Sequence, residues 1–589
     1  MSDVLEAITV GPRRAEMAVD LTRTFPRRFV PPEVDAGDPA QLEPLFRRLL
    51  DAQPASAAAL ERWLEDASEL LAVIDEARAR RYVAMTSQTD DPAREHAYLT
   101  FIERVVPMVK PLAHALDEAY LRSPHRRDLP ARYHVLDRLV ANRVTLFRPE
   151  NVPLELEEDK LKQQFQKIAG AMTVVFRGRE HTLQQMAPYL EEPDRALRQE
   201  AWELVARRRL QDRDRLEAIF DQLLALRHRL ARHAGFEDYR AYAFRRRERF
   251  DYTPEDCLRF HDAVEETVLP VWRRLLEERR QALGLDVLRP WDLDVDPQGR
   301  PPLRPFETAD RLARGVEAVF ARVDPELGRQ FGFLREQGLL DLESRKGKAP
   351  GGYQRTMQER RIPFIFMNAV GVERDLRTLL HEGGHAIHTL ASREDPLIDY
   401  RDAPLEFCEV ASMAMELLAT PHLDVFYPSP EDRRRAYREQ LERIVGLFPW
   451  VATIDAFQHW LYTHPGHSRD ERRAVWLGTF RRFNPGVSFE GYEDAEASLW
   501  HRQLHLFQVP FYYIEYGIAQ VGALQVWRQA RRDPAGTVRR YRAALALGGR
   551  EPLPVLFAAA GAEFDFSARV LRPLMEDVSA ELEATGAGG

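Results

Sequence analysis

Cysteine is scarce in this sequence: 589 residues contain only Cys257 and Cys408, which are far apart in the chain. Two such residues exclude a disulfide framework and a cysteine-rich zinc cluster. No apolar run reaches the roughly 18 residues that a membrane-spanning helix needs. The N-terminal stretch also lacks the apolar core of a signal peptide. These absences predict a protein of the reducing cytoplasm without a membrane partner.

Lysine is nearly absent, with six residues against 78 arginines, a bias that genome composition or heat adaptation could produce. The net charge of −9 at pH 7 is small for a chain of this length. It argues against nucleic acid or an anionic membrane surface as a partner, because both require a strongly basic patch. The composition, with 44% hydrophobic and 30% charged residues, is typical of a globular protein.

The most informative stretch, residues 375–390, contains an H-E-x-x-H pattern formed by His381, Glu382 and His385. Apolar residues recur there at intervals of three and four, which predicts a buried helix with Asp375 as its N-cap. Residues four apart share one face of a helix, so both imidazoles can bind one zinc ion. Glu382 then lies beside them and can take a proton from a water molecule.

Two adjacent glycines, Gly383 and Gly384, interrupt this predicted helix. Each weakens a helix by about 1 kcal/mol relative to alanine. Glycines at such positions indicate that another backbone or a substrate approaches the helix closely.

A catalytic zinc ion usually has three protein ligands and one open position. His388 follows His381 by about 10.5 Å along the helix axis, too far for both to bind one ion, so we expect it to be a packing or outer residue. The next predicted helix, residues 402–420, is mostly apolar but carries three acids on one face, Glu406, Glu409 and Glu416. Acids on an apolar helix are costly unless they are paired or bind a metal. Glu409 is the predicted third ligand and Glu406 its rival, with a solvated acidic stripe as the alternative.

These segments together resemble the thimet oligopeptidase/oligoendopeptidase F family of zinc peptidases. The resemblance is carried by HEGGHAIH at 381–388, EFCEVASMAME at 406–416, TVVFRGRE at 173–180, KAPGGY at 348–353, IPFIFMN at 362–368 and PFYYIEY at 510–516. It spans most of the chain from about residue 110 to about residue 580. It implies one zinc ion held by His381, His385 and Glu409, with Glu382 as the general base.

A histidine and three tyrosines near the C-terminus form a second candidate group: His505, Tyr512, Tyr513 and Tyr516. We expect a helix from Pro510 on which Tyr516 shares a face with Tyr512 or Tyr513. Aromatic residues at helical spacing are usually core residues. The resemblance, closest to the bacterial oligoendopeptidase branch, instead implies that the histidine and tyrosines face the zinc ion and stabilise an oxyanion. We favour Tyr516 and Tyr513, then Tyr512.

Residues 362–368 are the one strong strand candidate, just before the predicted zinc helix. An edge strand beside the metal helix can hold a peptide by main-chain pairing, and a plain core strand is the alternative. With the turn-rich segment before it, this strand predicts a substrate-binding region. Its candidate residues are Gly351, Gly352, Tyr353, Phe366 and Asn368.

Helical periodicity dominates the chain, and the resemblance implies a large, mainly α, zincin-like (gluzincin) fold. A small β-sheet is expected beside the active-site helix, with a deep cleft or channel between two helical halves. We predict an irregular lead-in over 1–35, a helical cleft-wall domain over 36–195 and a zinc peptidase catalytic domain over 196–589.

The function predicted from this pattern is zinc-dependent cleavage of internal bonds in short, unfolded oligopeptides. Two alternatives stay open at this point. One is an open-cleft zinc proteinase that acts on larger proteins, and the other is an inactive peptide-binding relative. The sequence predicts neither the oligomeric state nor the cleavage preference.

Overall fold

The computed structural model describes residues 18–586, and α-helices account for most of them. In the first half of the chain these are α1 Pro39–Asp51, α2 Ala57–Ser87, α3 Pro92–Arg122, α4 His134–Leu146, α5 Asn151–Gly170, α6 Ala187–Leu190, α7 Arg195–Gln211, α8 Arg213–His233, α9 Tyr239–Arg246, α10 Pro254–Thr267 and α11 Leu269–Ala282. In the second half they are α12 Ala309–Val323, α13 Pro325–Glu336, α14 Glu373–Ser392, α15 Ile398–Arg401, α16 Leu405–Ala419, α17 Pro430–Thr463, α18 Arg469–Phe483, α19 Glu493–Ala497, α20 Leu504–Gln508, α21 Ile514–Ala530, α22 Pro534–Leu545, α23 Leu553–Ala559 and α24 Ala568–Gly586. The predicted mainly α fold is confirmed. Within the described part of the chain, no helix combines the length and apolar character that a membrane crossing requires.

Five short strands form two small sheets within residues 18–586: β1 Thr173–Phe176, β2 Arg179–Thr182, β3 Leu340–Glu343, β4 Tyr353–Met357 and β5 Ile362–Ala369. The first two strands make an antiparallel hairpin. In the other sheet β5 lies in the middle, parallel to β3 and antiparallel to β4. The prediction of an edge strand at residues 362–368 is therefore wrong, because both edges of β5 already pair with neighbouring strands. The plain core strand, the alternative, is the observed arrangement.

Hydrophobic side chains gather into two main cores. One is built from residues 29–140, with Leu397 and Tyr400 reaching in from the second half of the chain. The other contains Ala79 and residues from Leu146 to Leu582, and it includes the helices around the H-E-x-x-H pattern. Residues 18–35 contain no helix or strand, and residues 1–17 of the predicted lead-in lie outside the described residues. The domain boundary at residue 195 stays a prediction.

Helix α14 carries the H-E-x-x-H pattern and begins at Glu373, so Asp375 is not its N-cap as predicted. Asp375 instead lies within the first turn of the helix and caps the helix start from there. Its carboxylate accepts hydrogen bonds from the backbone N–H groups of Val370, Gly371 and Val372, at 2.7, 2.8 and 3.1 Å. These bonds satisfy donors that the turn before the helix would otherwise leave unpaired, and the negative charge is favourable at this end of a helix.

The two glycines of α14 mark close packing against neighbouring helices. A Cβ atom on Gly384 would lie 2.6 Å from Ser412 Cα and 2.8 Å from Ala411 O, both on the backbone of α16. One on Gly383 would lie 2.6 Å from the Phe320 ring. The predicted close approach is confirmed, and it places α16 near enough for its side chains to reach the histidines of α14.

Candidate metal centre

Three side chains from α14 and α16 converge on one point: His381, His385 and Glu409, whose ligand atoms all lie within 4.8 Å of one another. Glu409 Oε2 is 3.2 Å from His381 Nε2 and 3.4 Å from His385 Nε2. Nitrogen and oxygen ligands bound tetrahedrally to zinc at about 2.0–2.1 Å lie about 3.3 Å apart. The donor types and their spacing therefore fit a zinc ion.

Neighbouring side chains orient two of these three groups, His381 and Glu409. His381 Nδ1 lies 2.9 Å from Glu416 Oε1, and a hydrogen bond from Nδ1 directs the Nε2 lone pair toward Glu409. Tyr512 donates its hydroxyl proton to Glu409 Oε1. Burial works against ionisation of Glu409, yet the imidazoles of His385 and His381 hold its pKa well below the usual value. Sequence reasoning gave Glu416 no role, although its position two turns after Glu409 on the same helix face was a usable signal.

The rival acid Glu406 faces elsewhere. Its Oε1 accepts a hydrogen bond from the Tyr252 hydroxyl and lies 3.7 Å from Arg249 Nε. His388 is also directed away from the centre, since its buried ring packs near Phe407 with 6.0 Å between ring centroids. Of the acids considered on α16, the structure brings Glu409 to the paired imidazoles.

Glu382 lies beside the convergent ligands and is 6% exposed. Its Oε2 atom is buried without a hydrogen-bond partner among the described residues. A Cβ atom on Gly352 would lie 3.4 Å from Glu382 Oε1, so the Gly352 backbone lies close beside the Glu382 carboxylate. Burial raises the pKa of the Glu382 carboxyl, and a base with a raised pKa is better matched to proton transfer near neutral pH.

The predicted substrate-binding residues separate into two groups. Gly351 and Gly352 are exposed beside Glu382, and Gly351 has φ +94°, a conformation that favours glycine. Asn368 braces this turn, because its Nδ2 donates to the carbonyl oxygens of Ala349 and Gly351 at 2.9 and 2.8 Å. The backbone of this turn is thus the part that is open to a ligand.

Tyr353 and Phe366 form part of the wall behind that turn. Their rings are stacked, with centroids 4.6 Å apart and an interplanar angle of 9°. The Tyr353 hydroxyl is hydrogen-bonded to Thr86 Oγ1 at 2.7 Å, and Phe366 is fully buried beneath the Lys348 ammonium group. The structure gives their side chains a packing role and does not bring them to the metal centre.

His505 and Tyr516 make a pair near the metal centre, with 3.1 Å between His505 Nε2 and the Tyr516 hydroxyl. The rings of Tyr512 and Tyr513 lie 5.6 and 5.0 Å from the His505 ring. The structure therefore brings the predicted histidine and all three predicted tyrosines together, although only Tyr512 donates to a predicted ligand.

The helix expected from Pro510 begins instead at Ile514, so that prediction is wrong. The reason is Phe511, whose φ of +61° reverses the chain and prevents an earlier helical start. Phe511 N–H donates to Gln458 Oε1 at 2.6 Å, and its carbonyl accepts from Arg249. These buried partners hold the strained residue, and the turn delivers Tyr512 to its carboxylate acceptor.

A chain of hydrogen bonds behind His505 defines which of its nitrogens carries the proton. The Trp450 indole N–H, which can only donate, lies 2.9 Å from Gln503 Oε1, so the Gln503 amide nitrogen faces His505 Nδ1 at 2.6 Å. Burial lowers the pKa of His505 to about 4, which leaves the ring neutral at pH 7. Nδ1 accepts from Gln503, so the ring proton is on Nε2 and points at the oxygen of Tyr516. Sequence reasoning missed Trp450 and Gln503, because neither lies in a recognisable motif.

Comparison with curated proteins finds oligopeptidases. The chain is 28% identical over 188 residues to an oligoendopeptidase F homolog of Lactococcus lactis subsp. lactis (strain IL1403), covering 31% of this chain and 30% of that protein. It is 24% identical over 297 residues to oligopeptidase PepF of Bacillus subtilis (strain 168), covering 49% and 43%. The matched sequence thus spans less than half the length of these two relatives.

Solved structures match over nearly the whole chain. PZ peptidase A with an inhibitor superimposes with a TM-score of 0.90 and 27% identity, covering 95% of this chain and 99% of the other. A chain assigned as an oligoendopeptidase F gives the same TM-score and coverage at 29% identity. The family model for peptidase family M3 matches residues 188–576, which include both helices of the metal centre. The chain belongs to peptidase family M3, and the resemblance to oligoendopeptidase F peptidases is confirmed.

Proposed function

We propose that this protein is a zinc-dependent endopeptidase that hydrolyses internal bonds of short, unfolded oligopeptides. The proposal depends above all on one observation, the convergence of His381, His385 and Glu409 beside the buried carboxylate of Glu382. The names of the relatives, oligoendopeptidase and oligopeptidase, support a peptide substrate.

The residues of the centre have different proposed roles in hydrolysis. A zinc ion held by His381, His385 and Glu409 would supply Lewis acidity, which lowers the pKa of a water molecule toward about 7 and polarises a carbonyl group. Glu382 takes the proton from the attacking water and delivers it to the departing amine. Glu416 and Tyr512 hold two of the three ligands in position through the hydrogen bonds described above.

Tyr516 is the proposed donor to the oxyanion. His505 Nε2–H donates to the Tyr516 oxygen, which leaves the phenol proton of Tyr516 free to point at the developing negative charge. His505 is the positioning residue, oriented in turn by Gln503 and Trp450. Tyr513, whose ring centroid is 5.2 Å from that of Tyr516, is the second candidate donor.

Replacing Tyr516 and Tyr512 by phenylalanine separates their proposed roles. Tyr516→Phe is expected to lower kcat by about 10²–10³-fold with little change in KM or zinc content, since it removes one oxyanion donor. Tyr512→Phe is expected to weaken zinc affinity by about 10–100-fold, since it removes the partner of a ligand. Steady-state kinetics and zinc titration against a competing chelator measure both quantities. Equal effects of the two variants on zinc affinity would contradict this division.

Substrate size tests the proposed function as a whole. The zinc-loaded protein is expected to cleave a short internally quenched peptide and to leave a folded protein intact, because the predicted cleft admits only unfolded chains. Chelation should abolish peptide cleavage, and added zinc should restore it. Similar rates for both substrates would favour the open-cleft proteinase. Failure of the zinc-loaded protein to cleave either substrate would favour the inactive peptide-binding relative.

We also propose the cytoplasmic location that the sequence predicts. Both cysteines are free in the structure, with Cys257 buried and Cys408 half-buried, as is usual for proteins of a reducing compartment. Fractionation of the source cells, followed by immunodetection of the chain, tests this part of the proposal.

A further inference from the structure

A second group of ligand-type side chains lies between α10 and α17, apart from the residues proposed for catalysis. Cys257 and His261 stand four residues apart on α10, and Asp455 and His459 stand four residues apart on α17. Each pair therefore projects from one face of its helix. All four are buried, with exposures of 0, 2, 0 and 5% in that order.

The spacing of these groups matches that of the first centre. The ligand atoms of Cys257, Asp455 and His459 all lie within 4.8 Å of one another. Asp455 Oδ2 is 3.2 Å from His459 Nε2, compared with 3.2 and 3.4 Å between Glu409 and its two histidines. Such distances are those of neighbouring ligands on one zinc ion, about 3.3 Å for nitrogen and oxygen donors.

Hydrogen bonds within the protein do not satisfy all the polar atoms of this group. His261 Nε2 is hydrogen-bonded to Asp455 Oδ2 at 2.9 Å. Asp455 Oδ1 and His459 Nδ1 are buried without a hydrogen-bond partner among residues 18–586, and His459 Nε2 lies 3.2 Å from Asp455 Oδ2 without the geometry of a hydrogen bond. The His459 ring is bordered by the apolar rings of Phe511 and Phe244, at 5.5 and 6.2 Å between centroids. Buried polar atoms without partners are energetically unfavourable, and a bound ligand would supply the missing partner.

We propose that Cys257, Asp455 and His459 bind a second divalent ion of the zinc type, at a buried site that joins α10 to α17. Thiolate, imidazole and carboxylate are the donor set that zinc takes in proteins. On binding, the Cys257 thiol releases its proton to solvent, and the thiolate and the carboxylate together balance the double charge of the ion. His261 holds the carboxylate in its binding orientation, as hydrogen-bonding partners of metal ligands do.

The position of this site suggests what the ion stabilises. Gln458, beside His459 on α17, accepts the hydrogen bond from Phe511 N–H, and the His459 ring itself packs against Phe511. The strained turn at Phe511 carries Tyr512 to Glu409. An ion bound between α17 and α10 would therefore fix Gln458 and His459, the residues of α17 that contact the turn at Phe511.

Metal content and cobalt spectra test the proposal directly, without reliance on activity. The wild-type protein is expected to hold two zinc equivalents per chain, and both Cys257→Ser and a His381→Ala/His385→Ala variant are expected to hold one. After replacement of zinc by cobalt, the proposed site should give a near-ultraviolet thiolate-to-cobalt charge-transfer band. The first centre has no thiolate, so the band should survive in His381→Ala/His385→Ala and disappear in Cys257→Ser.

Cys408→Ser is the matched control, because it removes the other cysteine of the chain, whose thiol donates to Ala403 O. It should keep both equivalents and the band. The proposal would be overturned if the wild-type protein held one zinc equivalent, if His381→Ala/His385→Ala lost it, and if the wild-type protein with cobalt showed no thiolate band. If Cys257→Ser does not fold, the cobalt spectrum of the wild-type protein still tests the proposal. The proposed site includes a thiolate ligand, so the wild-type protein must show the charge-transfer band.

Discussion

Substitution of Glu382 by glutamine is expected to lower kcat by about 10²–10⁴-fold, the usual contribution of a general base. The amide of glutamine has nearly the size of the carboxylate but cannot take up a proton at neutral pH. The zinc ligands do not change, and zinc content should therefore stay at the wild-type value. The measurements are kcat on a short quenched peptide and the zinc bound per folded chain.

The control for this substitution is Glu394→Gln, which changes an exposed carboxylate just beyond the end of α14. Because Glu394 pairs with Arg23 at the surface, its loss should leave kcat within the error of the assay. A Glu382→Gln enzyme that binds zinc and retains the full rate would remove Glu382 from the proposed mechanism.

Features encoded within one helix were predictable from the sequence. His381, Glu382 and His385 form a local pattern, and helical geometry alone brings them to one face. Gly383 and Gly384 correctly indicated a close neighbour, which proved to be α16 and the Phe320 ring. The choice of Glu409 over Glu406 needed the family resemblance as well, since spacing on α16 left both acids open.

Features that depend on contacts between separate elements were not predictable from the pattern of one element. The central position of β5 depends on β3 and β4, and the residue pattern of β5 alone does not indicate which strands pair with it. The late start of α21 follows from a positive φ at Phe511, a conformation that bulky residues rarely adopt and that Gln458 and Arg249 stabilise here. The proton position on His505 likewise depends on Trp450, more than fifty residues earlier.

The two acids Glu406 and Glu409, one turn apart on α16, allow the proposed zinc centre to be tested by a matched pair of variants. Glu409→Gln removes the anionic ligand and leaves the Tyr512 hydroxyl without its carboxylate acceptor. We expect zinc affinity to fall by more than about 100-fold, beyond the effect of losing an outer partner. Peptidase activity at stoichiometric zinc should fall with it and recover in part at high zinc concentration.

Glu406→Gln changes an equally buried acid of the same helix, and its carboxylate contacts Tyr252 and Arg249 instead of the histidines. This variant should keep wild-type zinc affinity but lose stability, because it removes an anionic neighbour of the buried Arg249 guanidinium. Zinc titration and thermal unfolding of both variants separate the two effects. Loss of zinc in Glu406→Gln with retention in Glu409→Gln would show that the other acid binds the ion. The orientation of the two carboxylates predicts the opposite result, because only Glu409 lies within 3.4 Å of both imidazole nitrogens.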